Sequence, residues 1–163
     1  FLTSMFAVPE ARIVVAEPGT DPRPRARGSG AEPFVVALGA LVPRKGQDVL
    51  VEALARIEDR PWRCAIAGSS ARDPAFAEAV RASVERHGLA GRIEITGELD
   101  EAALEALLSG ADIFALPSRF EGYGMVYAEA LSRGLPVVAT RTGPVPDIVP
   151  GPAGRLVPVD DVD

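Results

Sequence analysis

Short runs of aliphatic and β-branched residues alternate with longer amphipathic segments from residue 34 onward. Short apolar runs bounded by turn residues are typical of buried strands, whereas apolar residues spaced by three or four are typical of helices. Six strands are predicted on this basis, at residues 34–39, 62–68, 92–97, 112–118, 135–140 and 154–158. Every strand but the last precedes a turn and a helical segment, so the pattern predicts an α/β fold with a parallel sheet flanked by helices.

Four segments between these strands are predicted to be helices, at residues 47–58, 74–87, 101–109 and 124–132. Asp73 and Asp100 stand where N-caps are expected, and Gly88 and Gly110 follow the last turns of their helices. These end signals agree with the periodicity, which strengthens the prediction of repeated βα units.

The first 32 residues differ from the rest of the chain. Residues 11–19 have strand character, and residues 21–32 are rich in Pro, Gly and Arg, which is typical of a linker or surface loop. Residues 1–32 are therefore predicted to form a hinge or linker from a missing preceding domain, and residues 33–163 one domain. A further helix would be expected to pack after residue 163, so this domain is predicted to be truncated at its C-terminus.

Composition and charge exclude several classes of protein. A chain of 163 residues with 47% hydrophobic residues is long enough to bury one core. Its net charge of −6 argues against a nucleic-acid or anionic-membrane partner. Without a basic leader or a membrane-spanning apolar run, the chain is predicted to be part of a cytoplasmic polypeptide, with any membrane contact made through the missing domain. Cys64 is predicted to be a buried core thiol, and no metal site is expected because no His or Cys pair has ligand spacing.

The loop between the first predicted strand and its helix, GALVPRKG at residues 39–46, contains the first candidate residues. In an open parallel sheet, ligands bind outside the carboxyl ends of the strands. Arg44 and Lys45, the single lysine of the chain, precede a helix N-terminus, where their charges are unfavourable unless an anion binds between them. A solvated basic turn is the alternative. The spacing matches neither a P-loop nor a dinucleotide fingerprint.

A second candidate loop lies at SRFEGYG, residues 118–124. Gly122 and Gly124 would let a ligand approach backbone N–H groups, while Tyr123 offers a ring edge and Glu121 an acceptor for hydroxyl groups. Glu129 follows eight residues after Glu121, which places it about one and a half turns inside the next helix.

Two interpretations of Glu129 remain open. It can pair with Arg133 four positions later, as on many helix surfaces. Against this, the helix is apolar on nearly every side, and a carboxylate there is either costly or used by a ligand. The loops at residues 97–100 and 140–149 also follow strands, but each is as readily a plain turn.

The same segments resemble a known family. PSRFEGYGMVYAEALSRGLPVVAT, residues 117–140, resembles the glutamate-x7-glutamate segment of retaining glycosyltransferases of family 4 nearly position for position. GALVPRKGQDVLVEAL, residues 39–54, resembles their first strand-loop-helix, and the similarity extends over roughly residues 14–157. The resemblance implies a GT-B enzyme of two domains, in which this chain is the C-terminal, Rossmann-like half that binds a nucleotide-sugar donor. The missing N-terminal domain would hold the acceptor.

The resemblance also implies roles for particular residues. Lys45 would contact the donor diphosphate and stabilise the charge of the leaving group, which is electrostatic catalysis without a metal or cofactor. Glu121, the second residue at the reacting centre, would contact hydroxyls of the donor sugar. Residues implied to bind the remainder of a UDP-, GDP- or ADP-sugar are Gly39, Arg44, Gly97, Glu98, Leu99, Gly122, Tyr123, Gly124, Met125 and Glu129.

One position departs from the family pattern. Members often carry an arginine directly after the first glycine of the first loop, where this chain has Ala40. We hypothesise that Arg44 supplies the missing charge. The departure also supports a different class of function, a non-catalytic nucleotide-binding module, and a nucleotide-sugar epimerase of GT-B build is a further alternative. Alone, the chain is expected to bind donor without transferring sugar.

Overall fold

A computed structural model describes residues 2–14, 16 and 18–163 of the chain. Its centre is a six-stranded sheet in the order β3-β2-β1-β4-β5-β6, and every neighbouring pair of strands is parallel. The strands are β1 Phe34–Leu38, β2 Arg63–Ala67, β3 Ile93–Gly97, β4 Ile113–Leu116, β5 Val137–Thr140 and β6 Gly154–Val157. All six predicted strands are confirmed, most of them one or two residues shorter at an end.

Helices follow the first four strands, as predicted, and a short helix also lies within residues 140–149, which were interpreted as a loop. The α-helices are α1 Leu2–Phe6, α2 Gln47–Ala55, α3 Pro74–Arg86, α4 Glu101–Ser109, α5 Met125–Ser132 and α6 Val145–Ile148. Asp73 and Asp100 are N-caps whose side chains accept from the backbone N–H groups of Phe76 and Ala103. These caps confirm the predicted starts of α3 and α4.

Two predicted elements are wrong in part. Helix α2 ends at Ala55 rather than at residue 58. Beyond Ala55 the chain tightens into turns, because the N–H groups of Arg56 and Ile57 donate to the carbonyl oxygens three residues back, those of Ala53 and Leu54. The strand predicted in residues 11–19 is not formed at its described positions. Glu10–Arg12 is instead a 3₁₀ turn, and residues 15 and 17 lie outside the described residues.

The central strand β1 is buried along its whole length. A parallel strand covered on both faces is expected to be a continuous apolar run, and β1 consists of Phe, Val and Leu with one Ala. Cys64 lies in the neighbouring strand β2 and belongs to the same core, as predicted. Burial raises the pKa of its thiol to about 12, which leaves it protonated and unreactive.

The order of the strands reverses between β1 and β4. From β1 the chain proceeds to β2 and β3 on one side, and from β4 it proceeds to β5 and β6 on the other. The loops after β1 and β4 therefore lie side by side at the carboxyl edge of the sheet. This switch point is where open α/β sheets bind ligands.

Gly46 lets these two loops meet. It adopts the left-handed region with φ 69°, and a Cβ placed on it would lie 2.1 Å from the carbonyl oxygen of Pro117. Since a backbone carbonyl cannot move aside easily, any side chain at position 46 would push the loop after β1 away from β4.

This contact predicts a difference between two substitutions of glycine. Gly88 has a nearly identical φ of 68° but open space around its Cβ position, so it isolates the cost of the left-handed conformation. We expect Gly88→Ala to lower the free energy of unfolding by about 1 kcal/mol and Gly46→Ala to lower it by a further 1–3 kcal/mol or so. Urea unfolding measures both. Equal losses would show that the approach of Pro117 adds no constraint.

Candidate functional site

A buried ion pair joins the two loops at the switch point. Lys45, at the end of a 3₁₀ turn over Pro43–Lys45, places Nζ 2.6 Å from Oε1 of Glu121, in the loop after β4. Lys45 is 8% exposed and Glu121 is 5% exposed. Such a pair needs short, well-directed contacts, because both charges have lost most of their water.

A chain of hydroxyl groups supports the carboxylate of Glu121. Ser118 Oγ donates to Glu121 Oε1 at 2.7 Å, and the hydroxyl of Tyr127 lies 3.2 Å from Ser118 Oγ and 2.9 Å from the carbonyl oxygen of Leu116. Burial raises the pKa of Tyr127 well above its ordinary value, so its phenol remains a neutral donor. Thr140 in β5 donates to the carbonyl oxygen of Ser118. Since both bonds to Glu121 end on Oε1, and no described residue donates to Oε2, Oε2 remains able to accept from a ligand.

The first loop is supported by Gln47, which the sequence did not single out. Its Nε2 donates to the carbonyl oxygens of Gly39 and Ala40, at 3.3 and 3.0 Å, from the first position of α2. A Cβ added at Gly39 would lie 3.4 Å from Cδ and Cε of Lys45. Gln47 and Gly39 therefore hold the backbone against the lysine side chain. A glutamine at a helix start carries no signal by which sequence analysis could have found this role.

Arg119 is a second residue that sequence analysis missed. Its guanidinium donates to both carboxylate oxygens of Asp48, at 2.9 and 2.8 Å, and to Asp160 at 2.6 Å. Its backbone N–H donates to the carbonyl oxygen of Arg44 at 2.8 Å. The hydrogen bond with Asp48 is the main reason that the pKa of Arg119 is raised. Arg119 thus ties the loop after β4 to the loop after β1, and the sequence separation of these partners hid the contact.

The side chain of Arg44 does not join the ion pair. It is exposed, whereas that of its neighbour Lys45 is buried. The prediction that Arg44 contacts a diphosphate stays a prediction.

A cleft of about 340 Å³ lies at the carboxyl ends of β1, β2 and β3. It brings together Glu98, Leu99 and Glu129, which the sequence placed in one ligand site. Gly97 precedes them at the end of β3 with φ 75°. The complete lining is Leu38, Ala67, Gly68, Glu98, Leu99, Leu104, Val126 and Glu129.

The segment between Glu121 and α5 connects the two parts of the site. Gly124 is the N-cap of α5 with φ 97°, and Met125 is the first residue of that helix. Gly122 has open space at its Cβ position, and the hydroxyl of Tyr123 donates to the carbonyl oxygen of Pro18 at 3.3 Å. The first N–H groups of a helix have no partners within it, so the start of α5 offers donors to an anion or a hydroxyl group.

Of the two interpretations of Glu129, the contact with Arg133 is formed, and use by a ligand stays a prediction. The side chain of Glu129 is 30% exposed, lines the cleft, and lies 3.4 Å from Nη2 of Arg133. The pairing with Arg133 is not an ordinary surface contact, however. Arg133 is 3% exposed and binds Glu105 more closely, with two contacts of 2.7 and 2.8 Å.

Over residues 2–14, 16 and 18–163, no group of three or more His, Cys, Asp or Glu side chains could hold a metal ion. In the same ranges, no helix is both long enough and apolar enough to cross a lipid bilayer.

The sequence matches the family described as Glycosyl transferases group 1 over residues 32–163. The chain belongs to this family. The resemblance stated from the motifs is therefore confirmed at this level, and the fold class, a Rossmann-like parallel sheet flanked by helices, is confirmed as well.

Relatives of the family agree in sequence and in structure. The GDP-mannose-dependent α-(1-6)-phosphatidylinositol monomannoside mannosyltransferase of Mycolicibacterium smegmatis is 37% identical over 90% of this chain and 41% of its own length. The sucrose-phosphate synthase of Thermosynechococcus elongatus superposes with a TM-score of 0.72 at 32% identity, over 80% of this chain and 33% of its own. Anabaena HepE in complex with UDP and glucose superposes with a TM-score of 0.74 at 26% identity, over 83% and 37%. The chain thus spans about two fifths of the curated relative from Mycolicibacterium smegmatis.

The buried ion pair predicts a non-additive effect on stability. Lys45→Met leaves Glu121 buried without its cation, which we expect to lower the free energy of unfolding by about 3 kcal/mol. Glu121→Gln added to Lys45→Met should restore part of this loss, because no charge remains buried. Urea unfolding of the two single variants and the double variant gives the coupling energy.

Arg81, in an exposed contact with Glu78, provides the control. Arg81→Met should cost no more than about 0.5 kcal/mol, as exposed ion pairs usually do. Additive losses at Lys45 and Glu121 would contradict an energetic role for the buried pair.

Proposed function

We propose that this chain is the donor-binding, C-terminal half of a GT-B enzyme, a retaining glycosyltransferase of family 4. It would bind a nucleoside diphosphate sugar and take part in metal-independent transfer of a hexose to an acceptor held by another domain. The observation that carries this proposal is the buried Lys45–Glu121 pair at the switch point, with a cleft at the same edge of the sheet that contains a second carboxylate, Glu129. The length of the mannosyltransferase relative, of which this chain covers 41%, supports an additional acceptor domain.

The pair gives the reacting end of the donor two complementary groups. The ammonium group of Lys45 would contact the diphosphate and stabilise the negative charge that grows as the bond between the anomeric carbon and the phosphate oxygen breaks. Oε2 of Glu121 would accept hydrogen bonds from hydroxyls of the donor sugar, while Oε1 remains bonded to Ser118.

Retention at the anomeric carbon follows from a front-face displacement. The acceptor oxygen would form its bond to the anomeric carbon on the face from which the phosphate departs, and the acceptor proton would pass to the leaving phosphate oxygen. Glu121 is a sugar-binding group in this scheme, not a nucleophile. Backbone N–H groups of Tyr123, Gly124 and Met125 would hold sugar hydroxyls or phosphate oxygens.

The cleft would hold the nucleoside. Glu129 would accept from the ribose hydroxyls, and Gly97, Glu98 and Leu99 would lie beside the base. Two similar proteins indicate which nucleotides to test first. The name of the mycobacterial relative specifies GDP-mannose, and the HepE structure contains UDP and glucose.

Calorimetric titration with UDP, GDP, ADP and their glucose or mannose conjugates tests the donor site. We expect one nucleotide series to bind in EDTA, with no gain on adding Mg²⁺. Lys45→Ala and Glu129→Ala should each weaken binding about tenfold or more, because each removes a charged hydrogen-bonding group.

The matched controls are Arg81→Ala and Glu78→Ala, which remove the same charges from an exposed contact on α3. Their affinities should equal that of the unsubstituted chain. Binding that requires Mg²⁺ would overturn metal-independent catalysis. No measurable binding of any nucleotide would favour a non-catalytic interaction module.

Arg44 provides a separate test, since the family's usual arginine is replaced by Ala40. If Arg44 neutralises the diphosphate, Arg44→Ala should weaken binding of the nucleoside diphosphate more than binding of its monophosphate. The dissociation constant of the monophosphate divided by that of the diphosphate is expected to fall about threefold to tenfold, as for loss of one charged contact. Arg81→Ala should leave the ratio unchanged. An unaltered ratio in Arg44→Ala would remove Arg44 from the site.

A further inference from the structure

Arg133 is a buried cation shared unequally between two carboxylates. Nη1 and Nη2 donate to the two oxygens of Glu105, at 2.7 and 2.8 Å, whereas Nη2 lies 3.4 Å from Oε1 of Glu129. The side chain of Arg133 is 3% exposed, and its buried Nε has no partner among the described residues. One positive charge therefore faces two negative charges at the wall of the cleft.

The backbone of Arg133 is fixed on both sides. Its N–H donates to the carbonyl oxygen of Ala130, and its own carbonyl oxygen accepts from the N–H of Ala26 at 2.9 Å. A guanidinium suspended from this point has little freedom, since its fork is already occupied by Glu105. The hydrogen bonds with Arg133 lower the pKa of Glu105, and those with Glu105 are the main cause of the raised pKa of Arg133.

This arrangement restrains Glu129 without saturating it. Oε1 of Glu129 faces the guanidinium at a distance too long for a strong hydrogen bond, and no described residue donates to Oε2. Attraction by Arg133 limits the rotamers of Glu129, while Glu105 prevents the guanidinium from closing on it. A carboxylate held in this way retains acceptor sites for a ligand in the cleft.

We propose that Arg133 is a positioning residue that orients Glu129 toward the hydroxyls of a ribose, and that Glu105 sets the distance between them. This inference rests on the proposed function, in which Glu129 contacts the ribose of the donor. It adds that recognition of the ribose depends on a residue that would not itself touch the nucleotide.

Discrimination between ribose and deoxyribose tests the inference. Dissociation constants are measured for UDP, GDP and ADP and for their 2′-deoxy analogues, by calorimetry. We expect the ribonucleotide of one pair to bind at least about tenfold more tightly to the unsubstituted chain, as for loss of one hydrogen bond to a charged group. In Arg133→Met the ratio of the dissociation constants of the deoxyribonucleotide and the ribonucleotide should fall toward one, as in Glu129→Ala. The double variant Arg133→Met/Glu129→Ala should show no further fall.

The conservative variant separates positioning from general support of the fold. Arg133→Lys keeps the charge but not the fork, so it should retain part of the ribose preference. Arg86→Met is the control for charge, because Arg86 pairs with Glu52 through an exposed contact and should leave the preference intact. A merely structural Arg133 would lower the affinities for both sugars equally and leave their ratio unchanged.

If Arg133→Met does not fold, as judged by circular dichroism, Glu105→Ala replaces it. Removing Glu105 frees the guanidinium to bind Glu129 directly, so the ribose preference should again fall. If folded Arg133→Met, or Glu105→Ala in its place, keeps the full ribose preference, the inference is overturned while the proposed function stands. An unsubstituted chain that binds nucleotides without any preference overturns the ribose role of Glu129 and this inference with it. Failure to bind any of the nucleotides overturns the proposed function itself.

Discussion

The buried pair of Lys45 and Glu121 is the constraint on which the rest of the site depends. The two residues are 76 positions apart, and each charge would be strongly unfavourable at its depth without the other. The loops after β1 and β4, which contain these residues, must therefore approach closely enough for the two side chains to form a hydrogen bond. That requirement makes the order of the sheet a matter of electrostatics as well as packing, because only adjacent β1 and β4 bring these loops together.

The surrounding residues explain how this precision is achieved. Gly46 has no side chain to separate the two loops. Gln47 fixes the carbonyl groups of the first loop, and Arg119 ties the second loop to the first. Ser118 orients the carboxylate of Glu121 by donating a hydrogen bond to it. A site held on several rigid elements in this way is preorganised, so a ligand need not supply the energy of arranging it.

The sequence was most informative where local physics decides. Continuous apolar runs predicted the six strands, and Asp73 and Asp100 marked two helix starts, because burial and capping act within a few residues. The position of Lys45 and Glu121 after strands was enough to place both at one edge of the sheet. Residues 11–19 show the limit of this reasoning. Ile13 and Val14 have β propensity, but such residues form a strand only where a partner strand and a face to cover are available.

The sequence by itself determined the class of fold and the edge of the sheet at which Lys45, Glu121 and Glu129 lie. Tertiary structure alone decided which charges are buried and with which partners. Arg119 and Arg133 are two among many arginines in the sequence, and nothing local distinguishes them from solvated surface residues. Their roles arise from contacts with Asp48 and Glu105, 71 and 28 residues away. The physical reason is that desolvation and pairing depend on distances in space, which the packing of the sheet and its helices sets.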